Sequence, residues 1–423
     1  MSRTLSEWLE WQEQLHLSSI DLGLDRVSKV ASRLQLDTLA MPVITVAGTN
    51  GKGSSVAMLN SIYQQAGYRT GCYTSPHLVS YNERITLSGT MAEDEDICEA
   101  FEAIDQARQS ISLTYFEFGT LAAAYLFKKY NVDVAIFEVG LGGRLDAVNL
   151  WDADLALISN IDIDHIDWLG DDREQIGVEK AGIMRQGKTV VCGDTQPTRS
   201  IASEAQRIGA QLLQQGKDFT WQHSTQDQSW LYCTKVQKTL LPLPSLQGTF
   251  QLNNAAMVIT AVQSFQNTLA VSWDAIKAGL QRAHIAGRLQ TFGHCPEYLV
   301  DVAHNPQSAQ ALAEHLKANP VQGKTVALFS ALADKDLSGI LQPLCETFDA
   351  WHVVPLEGPR AQAPSHIQQT LIASKVTGDI TSHETFEPVI KMLQNTLNCE
   401  DRVVAFGSFL VVSRFMQGFK TST

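Results

Sequence analysis

Between Val43 and Ala66 the chain reads as three short stretches in a fixed order. Val43-Ile44-Thr45-Val46-Ala47 is a β-branched run, Gly48-Thr49-Asn50-Gly51-Lys52-Gly53-Ser54 is a glycine-rich turn, and Val56, Leu59, Ile62, Tyr63 and Ala66 recur at helical spacing up to Gly67. Those periods predict a strand, a loop and a helix in immediate succession. A turn of this composition lets backbone N–H groups face inward around phosphate oxygens. The helix N-terminus adds roughly half a positive charge, and the Lys52 ammonium adds a whole one. The spelling departs from a strict Walker A sequence: Gly48 and Gly51 stand closer together than that pattern's glycines, and Gly53 separates Lys52 from Ser54. A glycine-rich turn with no nucleotide role is the plainer alternative, and the position between strand and helix speaks against it.

Such a unit needs a sheet around it, and the rest of the chain supplies one. At 423 residues the chain exceeds one ordinary core, so two domains are expected. A hydrophobic fraction of 44% with 18% charged residues belongs to a globular protein in water. No window approaches the roughly 18 apolar residues of a membrane span, and the acidic start with Glu7, Glu10 and Glu13 is not a secretory signal. Seven cysteines without paired spacing predict reduced thiols in a cytoplasmic protein. A net charge of −13 disfavours nucleic acid, and an anionic substrate must then be drawn by a local cationic pocket.

Along the chain, helical segments fill residues 1–40, with a loop-like stretch at Ser18–Gly23 between them. Pro76 makes Tyr73–Leu78 a strand end or turn. The run Glu93-Asp94-Glu95-Asp96 suits a helix's first turn. Val132–Val139 is a buried type of strand that carries Glu138 near its end, and Gly140–Asp146 is a second glycine-rich turn. Ala153–Ile161 is another strand, followed by Asp162-Ile163-Asp164-His165, and Thr189–Cys192 is a further strand. Alternation of this kind predicts a mostly parallel sheet covered on both faces, with ligands at the carboxyl ends of its strands. Gly48, Glu138 and His165 all fall at or just past such ends. From Leu212 to Leu243, short strands with Trp221, Trp230 and Tyr232 predict a small antiparallel lobe, and a helix opens at Asn253. Gly287-Arg288 marks the expected junction. Beyond it strands at 298–302, 325–330, 351–355 and 402–406 alternate with helices, a Rossmann-like pattern without a dinucleotide fingerprint.

Six motifs taken together resemble the Mur-type ATP-dependent amide ligases, and within them the bacterial bifunctional dihydrofolate synthase/folylpolyglutamate synthases. They are Gly48–Ser54, Thr74–Leu78, Glu138–Gly143, Asp164-His165 with Leu169-Gly170, Glu179–Ile183 and Asp301–Pro306, and they occur in the family's order. The resemblance implies an α/β fold in which a P-loop-type domain (1–286) is followed by a Rossmann-like C-terminal domain (287–423). It implies ATP and Mg2+, and ligation of L-glutamate to dihydropteroate and reduced folates through an acyl phosphate. Carboxylate oxygen leaves poorly, so phosphoryl transfer has to precede amide formation.

Roles follow from the same resemblance. Gly48, Thr49, Asn50, Gly51, Lys52, Gly53 and Ser54 would hold the phosphates. Ser54, Ser75, Glu138 and His165 match metal ligands, and Lys180 matches a lysine carbamylated by CO2. Asn254, Asp301 and His304 fall on the nucleotide side, and Arg288 would reach the γ-phosphate. Lys52, His165, Lys180 and Arg288 would carry the catalysis. Read without the resemblance, His165 is a loop histidine, Lys180 a surface lysine or phosphate contact, and Asn254 a helix cap. Glu138 stands better alone, because a carboxylate closing an apolar strand is costly unless it is paired or metal-bound. On the pterin side the candidates are Ser19, Ile20, Asp21 and Leu22; Thr114, Tyr115, Phe116 and Glu117; and Leu145, Asp146 and Ala147. Tyr115 and Phe116 are otherwise core aromatics, and Arg84 would meet a substrate carboxylate. A monofunctional folylpolyglutamate synthase, a Mur peptidoglycan ligase and a nucleotide-gated binding protein are the competing functions; the short stretch before Gly48 disfavours the second. A monomer with small-molecule partners, neither nucleic acid nor membrane, is expected.

Overall fold

Eight strands build the first sheet because the apolar runs are short, β-branched and bounded by turn residues. In the computed structural model, which describes residues 3–16, 18, 20–224 and 228–420, Val43–Ala47 lies near the middle of that sheet, buried along its whole length. It pairs in parallel with Val134–Glu138 on one side and Leu155–Ile158 on the other. Thr70–Tyr73 continues the parallel order beyond Val134–Glu138, and Thr189–Cys192 beyond Leu155–Ile158. Ile85–Leu87 and Thr90–Met91 close one edge antiparallel. The helix Lys52–Gln65 follows the first glycine-rich turn, and the acidic run occupies the first turn of Asp94–Arg108.

Three expectations are corrected here. Leu212 does not begin the antiparallel lobe: Gln211–Gln214 is the last parallel strand of the main sheet, paired with Thr189–Cys192. The lobe itself comprises Phe219–His223, Ser229–Thr234 and Lys238–Pro242. The helix expected at Asn253 starts at Phe250, which puts Asn254 inside it and removes the cap reading. Finally, Cys295 and Cys399 form a disulfide, while Cys72, Cys98, Cys192, Cys233 and Cys345 are free thiols. The paired cysteines precede Glu297 and Arg402, which are register partners on neighbouring parallel strands. A separation of 104 residues hides that proximity from spacing arguments.

The chain divides into two compact units, Met1–Ser245 with Gln251–His284, and Leu246–Phe250 with Ile285–Thr423. The second unit holds a six-stranded sheet in which Glu297–Val300, Arg402–Phe406, Thr325–Phe329, Ala350–Val353 and Asp379–Ser382 run parallel, with Gln290–Phe292 antiparallel at the edge. The two edge strands escaped the sequence reading because Gln290–Phe292 and Asp379–Ser382 are short and contain no buried residue, with little apolar alternation to detect.

Candidate active site

The turn after Val43–Ala47 is braced from two sides. Gly51 has φ +86°, a left-handed conformation natural to glycine, and a Cβ there would stand 2.6 Å from Asn254 Oδ1. On one side the stretch after Leu155–Ile158 fastens the loop. The amides of Thr49 and Asn50 donate to the Asn160 carbonyl (3.0 Å) and Asn160 Oδ1 (2.7 Å). The Ser159 hydroxyl donates to the Asn50 carbonyl at 2.6 Å, and Thr49 Oγ1 donates to the Asp162 carbonyl at 3.0 Å. On the other side, Gln251 Nε2 donates to Ser54 Oγ at 3.1 Å, and Asn254 Nδ2 donates to Gln251 Oε1 at 2.9 Å. Lys52 Nζ folds back over the turn, donating to the carbonyls of Gly48 (2.9 Å) and Thr49 (3.0 Å). The result is a held loop at a helix N-terminus, a geometry suited to anions.

Acidic and basic groups gather around it. Register pairs Val46 with Glu138, so the buried Glu138 carboxyl ends the strand next to the turn. Its Oε2 accepts from the Ser75 amide at 3.3 Å. His165 follows the Thr49-bonded Asp162 by one short loop, adopts φ 54° and starts the helix Ile166–Leu169. Lys180 is buried, which corrects the surface-lysine reading. Burial and the nearby Lys52 charge push its pKa down to about 7, against the opposing pull of Asp164. Asp146 is pushed up to about 7 by burial, although amides of Leu141, Val148 and Gly140 and the Lys52 charge favour its ionised form. Among the described residues no group of three or more His, Cys, Asp or Glu side chains is placed to hold a metal ion. A nucleotide-bound magnesium needs no such cluster, since it keeps waters and phosphate oxygens and takes one or two carboxylates. Glu138 with the hydroxyls of Ser54 and Ser75 fits that oxygen-donor set.

The pterin-side candidates come together as one neighbourhood. Ser19 lies outside the described residues. Asp21 and the buried Glu117 are joined by one cation: Arg26 lies 2.6 Å from Asp21 Oδ2 and 3.1 Å from Glu117 Oε1. Ile20 and Leu22 are half-buried beside Asp21. Thr114 and Glu117 also cap their own helix reciprocally, so both have a structural task. Phe116 and Asp146 meet over Gly140, where a Cβ would stand 2.8 Å from the ring and 3.3 Å from Asp146 Oδ2. Leu145 is half-buried and Ala147 buried on either side of Asp146. The Tyr115 ring lies 5.2 Å from the Arg84 guanidinium, at the boundary of the core as well as in this neighbourhood.

In the second unit Arg288, Asp301 and His304 sit at the end of Glu297–Val300. The Asp301 carboxylate accepts from the amides of Leu289 (2.9 Å) and Ala303 (2.8 Å). Burial raises its pKa while Arg288, those amides and His304 oppose the rise. Arg288 lies 5.1 Å over the Phe409 ring, and His304 Nδ1 is 2.7 Å from the Val302 carbonyl.

Residues 46–262 match the Mur ligase middle domain, and residues 287–409 match the Mur ligase glutamate ligase domain. The dihydrofolate synthase/folylpolyglutamate synthase of Escherichia coli (strain K12) is 42% identical, over 98% of this chain and 95% of its own length. This chain belongs to the dihydrofolate synthase/folylpolyglutamate synthase family of Mur ligases. The Haemophilus influenzae member is 38% identical over 97% of this chain and 96% of its own. Among solved structures, E. coli FolC in complex with DHPP and ADP superposes with a TM-score of 0.93 at 40% identity, covering 100% of this chain and 99% of that one. A bifunctional folylpolyglutamate synthase/dihydrofolate synthase with Mn, AMPPNP and L-glutamate bound gives 0.90 at 40% identity, covering 99% and 98%.

Several residues that brace this site were not singled out from sequence. Ser159, Asn160 and Asp162 carry a legible signal, a polar run directly after an apolar strand at a carboxyl end. Arg26 and Gln251 carry none: Arg26 reads as one polar residue of a helix, and Gln251 falls just before the helix expected from Asn253. Among the described residues, no helix is long and apolar enough to cross a membrane.

Proposed function

We propose that the chain ligates L-glutamate to 7,8-dihydropteroate and, as a polyglutamylating activity, to tetrahydrofolate, at the expense of ATP. The observation that carries this reading is the convergence of Lys52, Lys180, Asp164, Asp146 and Glu138 around one braced turn at the carboxyl ends of parallel strands. The turn amides and Lys52 bind the β- and γ-phosphates. The acceptor carboxylate attacks the γ-phosphorus, ADP leaves, and the glutamate amine then displaces phosphate from the acyl carbon with loss of a proton. Ser54, Ser75, Glu138 and His165 would hold magnesium, whose charge would offset the negative charge gathered at the phosphoryl group. Arg288, Asp301, His304 and Asn254 serve the nucleotide, and the stretches around Asp21, Phe116 and Asp146 serve the heterocycle. The two domains are residues 1–286 and 287–423 in this reading, save that Leu246–Phe250 and Ile285-Ala286 cluster with the second, and the protein acts as a cytoplasmic monomer.

Release of ADP tests the reading. Steady-state release is expected only when an acceptor acid and L-glutamate are both present, with dihydropteroate and tetrahydrofolate each supporting it. Turnover with tetrahydrofolate alone favours a monofunctional folylpolyglutamate synthase, and ADP release without an acid removes the ligase assignment.

Lys180 carries a carbamate in this reading. Its burial favours the neutral amine, which is the form whose nitrogen adds to CO2 with loss of a proton. In buffer with 13C-labelled bicarbonate a carbamate carbonyl signal is expected that Lys180→Arg lacks, with turnover reduced about 10–100-fold in that variant. Full activity in Lys180→Arg with no labelled signal in the unmodified protein removes the assignment.

A further inference from the structure

Arg84 is held more elaborately than its one expected contact requires. Its Nε donates to His77 Nδ1 at 2.8 Å. Because arginine only donates, His77 must accept through Nδ1 and carry its proton on Nε2. The guanidinium also lies 5.5 Å from the Tyr81 ring and 5.2 Å from the Tyr115 ring. Tyr81 is buried, and its hydroxyl has no hydrogen-bond partner among the described residues. The Tyr81 and Tyr73 hydroxyls converge over Gly119, where a Cβ would stand 2.6 Å from each. No hydrogen bond or ion pair ties Arg84 to a carboxylate among the described residues. The Tyr73 hydroxyl is a further hydrogen-bond neighbour of the guanidinium, and with Nε on His77 an oriented, half-buried cation of this kind still has N–H donors left for an acidic ligand.

The backbone fixes where that ligand must be. The Arg84 carbonyl accepts from the Thr74 amide at 2.9 Å, and the next residue, Ser75, donates its amide to Glu138. On its other flank Arg84 touches Tyr115, whose neighbour Phe116 lies over Gly140 with Asp146. Arg84 thus stands between the phosphoryl-transfer residues and the heterocycle residues, where the acceptor's carboxyl end has to lie. We infer that His77 is a positioning residue: by accepting from Nε it turns the terminal nitrogens of Arg84 toward the carboxylate of the acceptor acid. The inference rests on the folate-ligase reading and deepens it.

Steady-state kinetics on the full chain, with dihydropteroate, ATP and glutamate varied in turn, test it. His77→Phe keeps a ring and removes the acceptor, and is expected to raise KM for dihydropteroate about tenfold with KM for ATP changed less than about twofold. His77→Asn, which restores an acceptor near the Nδ1 position, is expected to recover most of that loss. In an Arg84→Lys background, which has no Nε to anchor, His77→Phe is expected to add less than about a twofold effect. Unchanged KM in His77→Phe, equal rises in both KM values, a fully additive double variant, or loss of the fold by circular dichroism each overturns the proposal. Absence of ligation by the unmodified protein with any acceptor acid is a separate outcome, which removes the folate-ligase reading and this proposal with it.

Discussion

Lys52→Ala is expected to lower kcat/KM for ATP by about a thousandfold and to weaken ADP binding, with the fold kept. Lys52 brings a full positive charge to a turn whose other anion-binding elements are backbone dipoles, and one preorganised charged donor is worth about two to three powers of ten in phosphoryl transfer. The structural loss is small by comparison. The ammonium donates to the Gly48 and Thr49 carbonyls within its own loop. The turn stays braced by Ser159, Asn160 and Asp162. Alanine is also the best helix former for the first residue of Lys52–Gln65. Circular dichroism should therefore be unchanged and Tm should move by no more than about 4 °C. Turnover equal to that of the unmodified protein, measured by ADP release, would take the phosphate-loop assignment away.

Glu138→Gln is expected to separate stability from activity. The carboxyl is buried at a strand end and accepts from the Ser75 amide. A glutamine side chain there has the same size without the charge and its Oε1 can still accept from the Ser75 amide, so Tm is expected to move by only about 4 °C or less. Activity falls about a hundredfold or more, because the carboxylate assigned to magnesium is lost, and the Mg2+ concentration for half-maximal turnover rises. Thermal melting with and without Mg2+, alongside a magnesium titration of turnover, checks both halves. A variant that melts earlier but turns over normally would make Glu138 a structural residue.

The strand, turn and helix at Val43–Ala66 were legible because each rests on local chemistry: β-branched alternation, a glycine with positive φ, and apolar residues at helical spacing. The same holds for Glu138 at the end of an apolar run and for the acidic first turn of Asp94–Arg108. Individual side-chain tasks were not legible in this way. Thr114 and Glu117 stood out as substrate candidates, yet they also cap a helix, and Glu117 shares Arg26 with Asp21. His77 stood inside a motif without a task of its own until the fold brought the Arg84 Nε to within 2.8 Å of it.

Backbone preferences act over a few residues, so the order and kind of elements around the phosphate turn can be read from the chain as it stands. Packing decides the remainder. The joining of Gln211–Gln214 to the main sheet, the meeting of Gln251 with Ser54 and of Cys295 with Cys399, and the burial of Lys180 all depend on contacts between distant segments. No short-range preference encodes such contacts: their free energy comes from excluding water between surfaces that adjoin only after the chain has folded.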